Sequence, residues 1–145
     1  IVERLGYPLE IVHEPDPVEL KRVLGKCSLV IGSRFHALVG ALSQGVPCIG
    51  TSWSHKYEAL FKEYGCENMI LPVESGAAAI QDRIEKATGP GREQLLARIE
   101  SSAAKLVSRV EDMWTQVDAA LGLSPPKAKG NAEKIRHKTG AANQI

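Results

Sequence analysis

Apolar residues in the first half of the chain fall in short β-like runs separated by stretches with helical spacing. Leu9 to His13 predicts a strand, and Pro17 to Lys26 predicts a helix with Asp16 as its cap and Pro17 at the first helical position. Ser28 to Ile31 reads as a buried strand. The series Leu38, Val39, Ala41, Leu42 then predicts a helix that opens at about Ser33, runs to Gln44 and stops at Gly45. Pro47 to Gly50 predicts the next strand, His55 to Tyr64 a helix ended by Gly65, and Met69 to Leu71 a further short strand. Alternation of this kind is the pattern of a parallel, doubly wound α/β sheet.

Beyond Pro72 the pattern turns helical. Ser75 to Ala87 predicts one helix, and Gly89-Pro90-Gly91 breaks it. Leu95, Leu96, Ile99, Ala103, Leu106, Val110, Met113, Trp114, Val117 and Leu121 then mark a long amphipathic helix over Arg92 to Leu121, or two joined at a kink. At about 1.5 Å per residue this helix would reach roughly 45 Å, more than a small sheet needs for cover. Its far end is expected to meet something absent from this chain, such as a separate polypeptide; a homo-oligomer is a separate expectation. From Ser124 the chain is rich in Pro, Gly, Ala and Lys with almost no large apolar residues, which predicts a disordered basic tail over 124–145 behind a globular domain over 1–123. The opening Ile1-Val2-Glu3-Arg4-Leu5-Gly6-Tyr7-Pro8 reads as the end of a helix entering a strand, so an upstream portion is expected.

Charge narrows the classes of function. The net charge of +1 conceals −3 over residues 1–123 and +4 in the tail. A mildly acidic body gives no electrostatic footprint for nucleic acid. The three cysteines, Cys27, Cys48 and Cys66, are too far apart for a metal or redox pair, and their odd number argues against a secreted disulfide framework. Reduced thiols in a cytoplasmic protein, free or at the inner face of the membrane, are expected. No apolar run approaches the roughly 18 to 20 residues of a membrane span, and no secretory signal opens the chain. No cluster of His, Cys and carboxylates suggests a metal.

The candidate chemistry lies at two strand-to-helix junctions. Ser33-Arg34-Phe35-His36-Ala37 follows one strand, and Thr51-Ser52-Trp53-Ser54-His55-Lys56-Tyr57 follows the next. Arg34 and His36 fall at a helix start, where unpaired N–H groups and the positive end of the helix dipole favour an anion. Ligands of open α/β sheets bind outside the carboxyl ends of the strands, so the loops carrying Arg34 and Lys56 could share one pocket. Each residue also has a plainer reading. Arg34 could pair with Glu14, His36 could be a packing histidine, Lys56 a solvated surface residue, and Trp53 and Tyr57 could stack on a sugar or close the core edge. His55 stands between the two readings, and His13 and His137 are read as structural or solvent-exposed.

The runs Gly32-Ser33-Arg34-Phe35-His36-Ala37-Leu38, Ala41-Leu42-Ser43-Gln44-Gly45-Val46-Pro47-Cys48-Ile49-Gly50 and Trp53-Ser54-His55-Lys56-Tyr57 resemble the polysaccharide pyruvyl transferases. The resemblance implies a Rossmann-like domain, the C-terminal, donor-binding half of a GT-B architecture. The N-terminal half would supply the acceptor side of the cleft. It also implies transfer of a pyruvyl group from phosphoenolpyruvate to a sugar or glycan acceptor, forming a ketal, with phosphoenolpyruvate as donor substrate and no further cofactor. On that reading Arg34 and His36 are catalytic, with His36 either the acid or a phosphate ligand. Ser33, Phe35, His55 and Lys56 bind substrate. An alternative is the donor half of a GT-B glycosyltransferase or nucleotide-sugar epimerase, with Glu58 or Glu74 on a ribose. Another is a non-catalytic anion-binding fragment.

Overall fold

The structure, a computed structural model, describes residues 9–52 and 54–123. The chain divides into two compact units, Ile1–Val107 and Ser108–Ile145. In the first, α1 (Pro17–Leu24) opens as the sequence predicts. Asp16 is extended, its carboxylate accepts the Val18 N–H at 2.8 Å, and Pro17 follows where a missing N–H costs nothing. Then come β1 (Val30–Gly32), α2 (Phe35–Leu42), β2 (Cys48–Ser52), α3 (His55–Glu63), a single 3-10 turn over Glu67–Met69, β3 (Ile70–Pro72), α4 (Ala77–Thr88) and α5 (Arg92–Ala120). Gly45 and Gly65, with φ of 78° and 63°, end α2 and α3 in the left-handed region that glycine enters without strain.

The three strands form one parallel sheet in the order β1-β2-β3. Val30 pairs with Cys48, Gly32 with Gly50, Gly50 with Ile70, and Ser52 with Pro72. The strand order advances in one direction, so right-handed crossovers carry α2 and α3 to the same face of the sheet. Gly50 shows this directly. A Cβ there would stand 2.8 Å from Phe61 Cζ on α3 and 3.1 Å from Leu38 Cδ1 on α2. Cys48, with Sγ near the Leu38 carbonyl, shares that face, and the fully buried Ile49 takes the other. The core joins Leu38 and Leu42 of α2, Tyr57 and Phe61 of α3, and Leu95 and Ile99 of α5 around β2.

Two expectations are corrected. Leu9 to His13 forms no strand: it has no ladder partner among the described residues, and Ile11 is 80% exposed. Strand propensity without burial or pairing does not make a strand. Ser28 to Ile31 is not buried throughout either. β1 begins at Val30 and lies at the sheet edge, and Ile31 is 56% exposed while its register partner Ile49 is covered. The remaining helices and strands stand within one or two residues of their predicted ends.

The second unit is described by itself. It holds the last turns of α5, whose Val110, Met113, Trp114 and Val117 are exposed, and Gly122 at φ 68° closes it. The predicted tail over 124–145, the opening octet, Trp53 and His137 lie outside the described residues. No helix among the described residues is long and apolar enough to cross a membrane.

All three cysteines are free, Cys27 exposed and Cys48 and Cys66 buried. Desolvation, followed by neighbouring negative charge, pushes both buried thiols from the ordinary 9.0 up to about 12. The folded protein therefore holds protons that the unfolded chain releases. Their stabilisation is complete below about pH 9 and is lost as pH rises toward about 12. The urea midpoint is expected to fall between about pH 8 and about pH 10.5. A thiol reagent should modify Cys27 alone in the folded protein. A pH-independent midpoint, or rapid labelling of Cys48 or Cys66, would contradict this account.

Candidate anion-binding cleft

The register Gly32↔Gly50 ends β1 two residues before β2, which runs on to Ser52, so both junctions leave the sheet along its carboxyl edge. Ser33 makes the turn and Arg34 is the N-cap of α2, with extended backbone at φ −88° and ψ 119°. An arginine cannot accept a hydrogen bond from the first-turn N–H groups, and none is made to its side chain. No acidic residue occupies that turn. The start of α2 therefore keeps its positive character and adds a guanidinium to it.

Tyr57 ties the second junction to the first. Its hydroxyl donates to the Ser33 carbonyl at 2.7 Å, and its side chain is almost wholly buried. Of the two readings for Tyr57, closing the core edge is the one the geometry realises. Phe35 stands edge-on to Tyr57 at 5.5 Å and to His36 at 5.9 Å, and Lys56 Nζ lies 5.0 Å from the Phe35 ring centroid. Phe35 is thus a hub: its ring orients the imidazole and takes the ammonium on its face.

These residues line one cleft of about 650 Å³, a volume suited to a small ligand. Ser33, Arg34, Phe35 and His36 form one wall with Lys56 and Tyr57. α1 lines the cleft as well, through Pro17, Leu20, Lys21 and Leu24. No carboxylate lines it, so Lys21, Arg34 and Lys56 set a positive field against a largely apolar surface. Arg34 makes no ion pair among the described residues. Glu14, its suggested partner, instead accepts the Asp16 N–H at 2.9 Å.

Five of the six residues singled out from sequence come together here, namely Ser33, Arg34, Phe35, His36 and Lys56. His55 stands apart at the first position of α3, fully exposed, with Nδ1 3.3 Å from Glu58 Oε2. Neither Glu58 nor Glu74 lines the cleft. Lys21 and the α1 wall were missed, because a lysine in the last turn of an exposed helix carries no sequence signal of its own. No group of three or more potential metal ligands occurs among the described residues.

The class of protein defined so far is a parallel α/β domain with a cationic cleft at the carboxyl ends of its strands. The comparisons narrow it. Residues 4–55 match the family model of polysaccharide pyruvyl transferase, a stretch that holds Ser33 to His36 and stops just short of Lys56. The amylovoran biosynthesis protein AmsJ of Erwinia amylovora is 29% identical over 65 residues, covering 45% of this chain and 16% of that protein. The matched stretch is thus a minor part of that relative's length. Together these matches bear out the resemblance and support the polysaccharide pyruvyl transferase family for this chain. No solved structure matches.

Proposed function

We propose that this chain forms the phosphoenolpyruvate-binding part of a polysaccharide pyruvyl transferase, within a GT-B arrangement whose other half holds the sugar acceptor. The observation that carries the reading is the cleft itself: Arg34, His36 and Lys56 converge at one sheet edge, without a carboxylate, beside the segment that the family model matches. Phosphoenolpyruvate presents a phosphate and a carboxylate, and such a ligand calls for convergent cations and N–H donors. The Arg34 fork and the first-turn N–H groups of α2 suit the phosphate. Ketal formation needs a proton delivered to the methylene carbon, which becomes a methyl group, while one sugar hydroxyl attacks the neighbouring carbon. A second hydroxyl then takes the place of the departing phosphate. An imidazole, which ordinarily titrates near neutrality, suits that proton transfer, and His36 is the one lining this cleft.

Calorimetric titration of the chain at low salt tests the reading, with phosphoenolpyruvate, inorganic phosphate and a UDP-sugar as ligands. Phosphoenolpyruvate is expected to bind in preference to the others, and Arg34→Ala to weaken it by about tenfold or more, the loss of a charge-assisted contact. Preference for the UDP-sugar would favour a glycosyltransferase or epimerase half instead.

A further inference from the structure

The face that α1 turns to the cleft recurs at helical spacing through Pro17, Leu20, Lys21 and Leu24, three apolar residues around one ammonium. α1 is seated closely on α2. Gln44 Nε2 donates to the Lys21 carbonyl at 2.6 Å and to the Gly40 carbonyl at 2.9 Å. Gly25 gives the Gln44 amide room, since a Cβ there would fall 2.5 Å from Gln44 Oε1. The Lys21 carbonyl is thereby held to Gln44, and Lys21 is among the residues that line the cavity. Its ammonium forms no ion pair among the described residues, and the nearby Glu19 is bonded to Arg22.

Three cations are more than one anionic group requires. Arg34 and the start of α2 offer a planar fork with N–H groups, the geometry that phosphate uses, and Lys56 stands on that same side over Phe35. Lys21 comes from a different element, α1. We propose that Lys21 is a specificity residue that takes the second anionic group of the ligand, the carboxylate of phosphoenolpyruvate; this rests on the donor reading above. The cleft then recognises a three-carbon phosphate ester by both ends, and inorganic phosphate by one.

Titrations of phosphoenolpyruvate and of inorganic phosphate into the full chain test this, on the wild type, Lys21→Met, Lys21→Arg and Arg34→Ala. Methionine keeps the stem and the helix propensity and removes the charge. Lys21→Met is expected to weaken phosphoenolpyruvate about tenfold while phosphate affinity stays within about twofold, and Lys21→Arg to retain most of the affinity. Retained phosphate binding also reports an intact fold. If Lys21→Met weakens both ligands equally or neither, while Arg34→Ala still weakens both, the assignment of Lys21 is overturned and the donor reading survives. If the wild type binds phosphoenolpyruvate no better than phosphate, or Arg34→Ala leaves it unchanged, the donor reading fails and Lys21 fails with it.

Discussion

On the donor reading proposed above, and in a protein that also carries the acceptor half, His36→Ala is expected to lower pyruvyl-transfer turnover by about 10² to 10⁴-fold, the range over which a positioned acid or base contributes. The division between kcat and KM then assigns the role. An imidazole that delivers a proton acts only in the transition state, so kcat falls and phosphoenolpyruvate affinity holds. An imidazole that holds the phosphate is already engaged in the ground state, so affinity falls as well. The ring lies edge-on to Phe35 at the second position of α2, exposed to the cleft and outside the core, so its loss leaves folding intact. Unchanged turnover would remove His36 from the chemistry altogether.

Phe61→Ala should cost about 3 to 5 kcal/mol of unfolding free energy, a large part of the about 5 to 15 kcal/mol that holds a domain together. Its fully buried ring reaches from α3 to the point on β2 where Gly50 has no side chain. The loss would appear as a lower urea midpoint at constant slope. Gly50→Ala tests the same contact from the other side, because its new methyl would stand 2.8 Å from the ring tip. That overpacking should cost about 1 to 3 kcal/mol alone and much less in the Phe61→Ala background. Additive costs would mean that the ring and the glycine are not in register. The contact matters for the cleft because β2 and the helices that flank it carry the Ser33 and Lys56 junctions.

Much of this was legible in the sequence. Asp16-Pro17 marked the start of α1 because cap and first-turn proline act locally, and Gly45 and Gly65 marked helix ends for the same reason. Arg34, His36 and Lys56 could be brought together because a parallel sheet sends the residues after its strands to one edge. Leu9 to His13 misled because the same alternation suits a strand only when another strand and a covering layer are present. Ile31 misled because an apolar residue in a strand does not announce which strand is the edge. Lys21 and Gln44 were invisible for a further reason. Their roles come from how α1 crosses α2, which depends on the close approach at Gly25 and Gly40.

α1 has eight residues and none of them is buried. A helix that short does not hold itself together in water. It persists through its Asp16 cap, through Gln44 and through Leu24 packed against the core, and among the elements around the cleft it has the least apolar burial to resist opening. Ligand affinity is then the product of two quantities, the intrinsic strength of a complete cleft and the fraction of molecules whose wall is in place. Gln44, which does not line the cleft, belongs to the second quantity. With the Asp16 cap and Leu24, it holds that wall ready for a ligand.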